Sequence, residues 1–93
     1  MTLTWNEFIN QLKNTRPDHI SVSVYNSSGP NYGLYCKIED MVIKDDYIKF
    51  DDDRNNYIAL PNDCDVIVND GKIKIYDLFY NGYECHVVIT VCL

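Results

Sequence analysis

Two groups of residues in this 93-residue sequence have side chains that could carry out chemistry. Asp77, Cys85 and His86 are the residue types of an orienting acid, a nucleophile and a base. Cys85 and His86 are consecutive, however, and consecutive side chains on a strand point to opposite faces of its sheet. They cannot form the hydrogen-bonded pair that nucleophilic catalysis needs. We therefore expect no catalytic residues here and predict that the protein is not an enzyme.

The second group is the acidic loop that begins at Asp51. Asp51, Asp53 and Asn55 match the first three oxygen ligands of an EF-hand calcium loop. The match then ends, because Asn56 and Asn62 stand where that loop has its invariant glycine and its bidentate glutamate. A solvated acidic loop is the expected structure, and no cofactor or metal is expected. A weak metal-dependent module at Asp51–Asn55 stays as an alternative.

The cysteines also lack the spacing of a metal or redox site. Cys36, Cys64, Cys85 and Cys92 include no C-x-x-C pair, and no secretory signal precedes them. Reduced thiols are typical of a cytoplasmic protein. No apolar run approaches the roughly 20 residues of a membrane helix. We expect a cytoplasmic protein with no membrane contact.

The net charge of the protein is concentrated in one stretch. The whole chain has a formal net charge of −6, and residues 39 to 77, with 11 acids and five bases, hold all of it. Such a chain is repelled by phosphate backbones and anionic lipids, so direct nucleic-acid binding is disfavoured. The expected partner is a larger protein with a basic surface.

The elements that must position these residues begin with a helix from Trp5 to Asn14. Thr4 can cap it while Glu7 reaches back, and Leu3 can pack on Phe8 as a hydrophobic staple. Apolar residues recur at helical spacing on one side, so the helix presents one apolar stripe. We expect this stripe to cover a sheet.

A strand-turn-strand pattern then occurs twice, at Asp40–Asp52 and Asp65–Asp77. The central residues of the tight turns would be Asp45-Asp46 and Asp70-Gly71, with positive φ. The predicted cross-strand pairs, whose side chains we expect to face the core, are Met41–Phe50 and Ile43–Ile48 in the first copy and Val66–Ile75 and Val68–Ile73 in the second.

Alternating strands and one strong turn complete the fold prediction. His19–Tyr25 and Tyr32–Ile38 alternate apolar and polar residues, as half-buried strands do. Asn81-Gly82 favours a hairpin turn that places Asp77 opposite His86. The predicted fold class is α+β and mostly β, a single domain over residues 1–93. One N-terminal helix packs on a curled antiparallel β-sheet of six to eight short strands, as a half-open barrel or a two-layer sandwich.

The chain resembles the small acidic inhibitors made by bacteriophages and other mobile elements, anti-CRISPR proteins among them. The features that carry this resemblance are the capped helix Trp5–Asn14, the antiparallel strands after it and the Asp-rich loops at 45–46 and 51–53. The resemblance is one of general character. It implies a protein-binding inhibitor in the cytoplasm of a bacterial host. Its carboxylates would either mimic phosphates or occupy an Arg-lined groove, and we favour the second. In both cases the protein would block the basic, nucleic-acid-binding surface of a host defence protein such as a CRISPR effector.

Tyrosines between the acids support a protein interface, because a tyrosine ring contributes a large contact area at low entropic cost. The predicted partner-binding residues are Asp45, Asp46, Tyr47, Asp51, Asp52, Asp53 and Tyr57. The main alternative function is a structural or assembly subunit that pairs through an edge strand such as Tyr57–Leu60. The oligomeric state is left open between monomer and homodimer.

Overall fold

A computed structural model describes residues 1–26, 31–62, 64–69, 71, 73–79 and 85–92. The elements in chain order are β1 (Thr2–Leu3), α1 (Trp5–Thr15), β2 (His19–Asn26), β3 (Tyr32–Lys37), a single 3-10 turn (Ile38–Asp40), β4 (Met41–Ile43), β5 (Tyr47–Asp51), β6 (Tyr57–Pro61), β7 (Asp65–Asn69), β8 (Ile73–Phe79) and β9 (Cys85–Cys92).

The strands form two antiparallel sheets. The larger has six strands in the order β1-β7-β8-β9-β2-β3, and the smaller has three in the order β4-β5-β6. The α+β, mostly β fold class is therefore confirmed. The described residues contain nine strands, one more than the predicted six to eight, and they form two sheets. Each sheet ends in strands with a free edge, so neither closes into a barrel.

The helix begins as its sequence predicts. The Thr4 hydroxyl accepts a hydrogen bond from the Glu7 amide at 3.2 Å, and the Thr4 amide donates to the Glu7 carboxylate at 3.1 Å. This capping box satisfies two N–H groups that the first turn leaves unpaired, and its hydrogen bonds from Thr4 lower the pKa of Glu7. The helix ends at Thr15, one residue later than predicted, where Arg16 takes a left-handed φ of 46° before Pro17.

The apolar stripe of α1 covers the large sheet. Phe8 and Leu12 are fully buried, and Phe8 meets the ring of Tyr76 on β8 edge-on, with ring centroids 5.2 Å apart. The Tyr76 hydroxyl donates to the Gln11 side-chain oxygen at 3.1 Å. A buried tyrosine thus keeps its ring in the core and satisfies its hydroxyl on the helix.

The two sheets and the helix bury one common cluster of apolar side chains. As predicted, β2 buries Ile20, Val22 and Val24 on one face. The small sheet contributes Ile48 and Phe50 from β5. Because each sheet buries only one of its two faces, the outer face of the small sheet remains available for polar residues.

The first predicted hairpin is confirmed in its register. Met41 pairs with Phe50 and Ile43 with Ile48 across β4 and β5. The Lys44 amide donates to the carbonyl of Tyr47 at 2.9 Å, which closes the turn around Asp45 and Asp46. The predicted positive φ at these two residues was wrong, since Arg16 and Asn55 are the described non-glycine residues that have it. Ile43, predicted to be buried, is 37% exposed.

The register predicted for the second hairpin was wrong by three residues. Val66 pairs with Leu78 and Val68 with Tyr76, instead of with Ile75 and Ile73. A shift by an odd number exchanges the faces of a strand. Ile73 consequently lies on the outer face with 43% of its surface exposed. The predicted turn residue Asp70 lies outside the described residues.

Pairing on both sides of β8 explains this shift. β8 lies between β7 and β9, and its residues Tyr76 and Leu78 pair with Ile89 and Val87 of β9. All four of these side chains are buried. Tyr76 and Leu78 must therefore face the core together with the buried residues of both neighbouring strands. This requirement sets the register of β7 on β8.

The predicted pair between Asp77 and His86 was also wrong. Asp77 pairs with Val88, and Phe79 pairs with His86. The register differs by two residues, so the faces of the strands are as predicted while the partners are not. The predicted turn at Asn81-Gly82 lies outside the described residues.

Candidate partner-binding groove

The outer face of the small sheet carries an open groove of about 700 Å³ at the end of β5. We call it the acidic groove. Its described lining residues are Glu39, Asp40, Val42, Lys49, Asp51, Asp52, Asp53, Asn55 and Tyr57. Five of them are acids and one is a base, so the lining has a formal net charge of −4. Most of the lining side chains are therefore charged, and the sign is predominantly negative.

Three segments bring these side chains together. The 3-10 turn supplies Glu39 and Asp40, β5 ends at Asp51, and the loop after it supplies Asp52 and Asp53. The register of the β4–β5 hairpin requires the 3-10 turn and the loop after β5 to lie side by side. Since Met41 lies opposite Phe50, the residues just before β4 must lie beside the residues just after β5.

The loop after β5 is shaped by one carboxylate. Asp52 accepts hydrogen bonds from the amide of Arg54 at 2.7 Å and from the amide of Asn56 at 2.9 Å, and its second oxygen accepts from the Asn56 side chain at 3.0 Å. These bonds, led by the Asn56 side chain, lower the pKa of Asp52. Asn55 has a φ of 65°, which asparagine tolerates better than most residues. Asp52 therefore holds the loop, and its neighbours face the groove.

Lys49, the base in the groove, contacts a carboxylate and an aromatic ring. The Lys49 ammonium lies 3.5 Å from a carboxylate oxygen of Asp51 and 5.0 Å from the centre of the Tyr57 ring. Asp51 is thus partly neutralised, whereas no ion pair is found for Asp53 among the described residues. The Tyr57 ring is 60% exposed, so it offers an aromatic face beside the carboxylates.

A buried thiol lies behind the groove. Cys36 of β3 is fully buried, and burial, with a smaller contribution from the charges of Asp40, Asp51 and Asp52, raises its pKa to about 11. A thiol in this environment stays protonated at neutral pH and is a poor nucleophile. Cys36 therefore belongs to the core of the protein.

The structure divides the predicted partner-binding residues into two groups. Asp51, Asp52, Asp53 and Tyr57 line the acidic groove. Tyr47 begins β5 and Asp51 ends it, so the two are separated by four steps of an extended chain, about 13 Å. The turn that holds Asp45 and Asp46 lies at the far end with Tyr47.

That far turn is attached to the end of β6. The amide of Asn62 donates to the carbonyl of Asp46 at 3.0 Å, and the Asn62 side chain donates to the carbonyl of Asp45 at 2.9 Å. Asp45 and Asp46 are therefore part of a separate tip and do not join the other predicted residues in one site.

Glu39, Asp40 and Lys49 belong to the groove but were absent from the predicted site. A signal for Asp40 was present in the sequence. The predicted Met41–Phe50 pair, extended by one residue, brings Asp40 beside Asp51. Lys49 faces the groove because it alternates with the buried Ile48 and Phe50.

A second concavity of about 470 Å³ adjoins the acidic groove, and we call it the tyrosine cleft. Its described lining residues are Tyr32, Gly33, Leu34, Asn55, Asn56 and Tyr57. Asn55 and Tyr57 line both concavities, so the cleft and the groove adjoin at these two residues.

The other candidate chemistry is not assembled by the described part of the fold. His86 stacks on Tyr25 with ring centroids 5.2 Å apart, and Asp77 pairs with Val88, two residues further along β9. The side chain of Cys85 lies outside the described residues. Within the described segments, no three Asp, Glu, His or Cys side chains are placed to hold a metal ion.

Comparisons with protein-family models, curated proteins and solved structures find no match for this chain. Among the described residues, no helix has the length and apolar character needed to cross a membrane. The acidic groove and the tyrosine cleft are therefore the features from which a function can be inferred.

Proposed function

We propose that this protein is a non-enzymatic inhibitor that binds a basic surface of a larger protein through its acidic groove. The observation that carries the proposal is the meeting of five acidic side chains around one base on a concave surface. A surface that binds nucleic acid presents arginine and lysine side chains, and a negative groove is complementary to it. Occupying that surface would exclude the nucleic acid.

The residues of the groove suit arginine in particular. Arginine forms paired hydrogen bonds with carboxylates and stacks on aromatic rings. Asp53 provides a carboxylate at the rim, and Tyr57 provides an exposed ring close by. An arginine side chain can thus contact a carboxylate and a ring at the same time.

The distribution of acids favours blocking of a groove over imitation of a DNA duplex. A duplex has two long rows of regularly spaced charges. Here the acids of the groove lie at one end of β5, and Asp45 and Asp46 lie beyond the other end, where Tyr47 is about 13 Å from Asp51. The resemblance to small acidic phage inhibitors favours a bacterial defence protein, such as a CRISPR effector, as the blocked partner.

Titration with hexa-arginine amide, followed by amide chemical shifts, tests this proposal. We expect shifts for Glu39, Asp40, Lys49 and Asp53 that weaken as salt is added, because charge pairs on a surface are screened. Asp53→Asn should weaken binding about two- to fivefold, a change of the size expected for one exposed ion pair. Asp46→Asn removes the same charge at the far tip and serves as the matched control.

The outcome of that titration decides the proposal. Equal weakening by Asp53→Asn and Asp46→Asn would show that only net charge matters, and the groove would have no role. The absence of shifts in the groove at millimolar peptide would overturn the proposal altogether.

A structural or assembly subunit is a second candidate, because β6 is a terminal strand of the small sheet, as expected for the predicted edge strand. The molar mass in solution separates the two functions. A stable homo-oligomer at micromolar concentration favours assembly, and a monomer favours a free inhibitor.

A further inference from the structure

The described sheets end in four strands, and one of them is poorly protected against further pairing. β1 has two residues and β4 has three, while β6 has five and ends in Pro61. β3 has six residues, with no proline, and its first charged residue is the last one, Lys37. Natural proteins usually block an exposed edge with prolines, charges or short strands. The second half of β3 packs against β5 of the small sheet at Cys36, whereas its first half has none of these features.

The first half of β3 borders the tyrosine cleft. Tyr32, Gly33 and Leu34 are its lining residues from the six-stranded sheet. In a terminal strand, every second residue directs its N–H and C=O groups away from the neighbouring strand. Of the remaining lining residues only Tyr57 belongs to a strand, and it is the first residue of β6. A chain in the cleft can therefore form backbone hydrogen bonds with the first half of β3.

Two exposed rings and the neighbouring charge define what such a chain would carry. Tyr32 is 55% exposed and Tyr57 is 60% exposed. Asn55 and Tyr57 also line the acidic groove, with its net charge of −4. A peptide segment bound along β3 therefore extends from Tyr32 and Tyr57 toward the carboxylates of the acidic groove. Arginine side chains suit both surroundings, since they stack on rings and pair with carboxylates.

We infer that an extended, arginine-containing segment of the partner protein adds to β3 as a new strand, through the tyrosine cleft, and places its basic side chains in the acidic groove. This inference rests on the proposed function and specifies the conformation of the bound segment. In strand addition, backbone hydrogen bonds supply affinity and side-chain pockets supply specificity. In this protein the acidic groove would supply the specificity, for basic side chains.

A second copy of this chain is a poorer occupant of the same edge. Each copy has a formal net charge of −6, and its acidic groove adjoins β3 through Asn55 and Tyr57. Pairing of two β3 edges would bring two negative grooves near each other, which costs free energy. Charge complementarity therefore favours a basic partner, and homodimerisation is an outcome that the test must detect.

Peptides with blocked backbone amides test the inference. The probe is acetyl-Arg-Val-Arg-Val-Arg-Val-amide in three forms: unmodified, N-methylated at all arginines, and N-methylated at all valines. An added strand uses alternate N–H groups of the peptide. We expect one methylated form to bind at least about tenfold more weakly than the other, and the unmodified peptide to slow hydrogen exchange of amides in β3.

Variants of two tyrosines on the same strand provide a second measurement. Tyr32→Ala removes a ring that lines the cleft, and we expect at least about fivefold weaker binding of the unmodified peptide. Tyr35→Ala is the matched control, because Tyr35 is 70% exposed and lies on the opposite face of β3. Its substitution should leave the affinity unchanged.

The outcomes separate this inference from the proposed function. Equal affinity of the two methylated forms, without protection of β3, overturns strand addition, while salt-sensitive shifts with hexa-arginine would still support the groove. Protection of β3 that is insensitive to Asp53→Asn supports strand addition and counts against the groove. If the protein is a dimer whose β3 amides are protected without peptide, β3 is a self-association edge and the inference is wrong.

Discussion

Asp52 and Asn56 are joined by three hydrogen bonds that close the loop at the rim of the acidic groove. The Asp52 carboxylate accepts from the Asn56 amide and side chain at 2.9 and 3.0 Å, and the Asp52 amide donates to the Asn56 carbonyl at 3.0 Å. The three consecutive aspartates that begin at the last residue of β5 therefore differ in role. Asp51 pairs with Lys49, Asp52 shapes the loop, and Asp53 presents its charge in the groove.

Asp52→Ala should accordingly change the structure of the loop, whereas Asp53→Asn should change only its charge. We expect Asp52→Ala to lower the melting temperature and speed hydrogen exchange at Arg54 and Asn56, because their amides lose their acceptor. Asp53→Asn is the control and should leave both measurements unchanged. Equal effects of the two substitutions would contradict the distinction.

The contribution of Asp52 should be lost in acid. Its pKa in the folded protein is lowered from 3.8 by the hydrogen bonds to its carboxylate. A lowered folded pKa means that the stabilisation is complete above the unfolded pKa and disappears as pH falls through the folded pKa. The difference in stability between wild type and Asp52→Ala, measured by urea unfolding, should therefore be largest at about pH 6 and should shrink as the pH falls below 3.8. A difference that stays constant as the pH is lowered would contradict this assignment.

Lys49→Gln should strengthen the binding of basic peptides. Lys49 is the base among the described lining residues, so its removal changes the formal charge of the groove from −4 to −5. We expect hexa-arginine to bind about two- to fivefold more tightly at low salt, with a smaller gain as salt is added. Lys13→Gln removes the same charge on the helix and serves as the control in a calorimetric titration. An equal gain in that variant would show that the location of the charge is unimportant.

Tyr76→Phe should destabilise the protein while keeping its core packing. The ring of Tyr76 is fully buried, and its hydroxyl donates to Gln11 at 3.1 Å. Loss of this hydrogen bond should lower the free energy of unfolding by about 1 kcal/mol, measured by urea denaturation. Tyr57→Phe alters an exposed ring and should have no measurable effect on stability. A similar loss in both variants would contradict the role of the Gln11 contact.

Cys36 should react slowly with iodoacetamide in the folded protein. Its pKa is raised from 9.0 to about 11, so its thiolate fraction at pH 8 is about 100-fold lower than that of an ordinary cysteine. Its burial adds a steric barrier. Peptide mass spectrometry after labelling should show modification of Cys36 in urea and very little without it. Equal labelling in the two conditions would contradict the buried position.

The acidic groove could be predicted only in part from the sequence. Asp51, Asp52, Asp53 and Tyr57 lie close together in the chain, and their grouping followed from that proximity. Asp40 required the register of the first hairpin to be extended by one residue beyond Met41–Phe50. Asp45 and Asp46, also predicted to bind the partner, lie beyond the other end of β5, because an extended strand keeps them apart from Asp51.

Local interactions explain which elements the sequence by itself determined. The capping box of Thr4 and Glu7 and the turns of the helix involve residues three or four positions apart, and Met41 and Phe50 belong to one short hairpin. Such contacts depend on the chemistry and spacing of neighbouring side chains, which are visible in the sequence. The α+β class and the acidic stretch follow from the same local patterns.

Tertiary structure decided the faces of β8, the division into two sheets and the formation of the groove. Tyr76 and Leu78 point inward because β8 must match the buried residues of β7 and β9 together, which displaced the predicted partners Ile73 and Ile75. Several apolar residues on that strand fit either face locally, and only packing among distant strands selects one. For the same reason, the meeting of Glu39 and Asp40 with the loop after β5, and of β3 with Tyr57, depends on how the two sheets share one core.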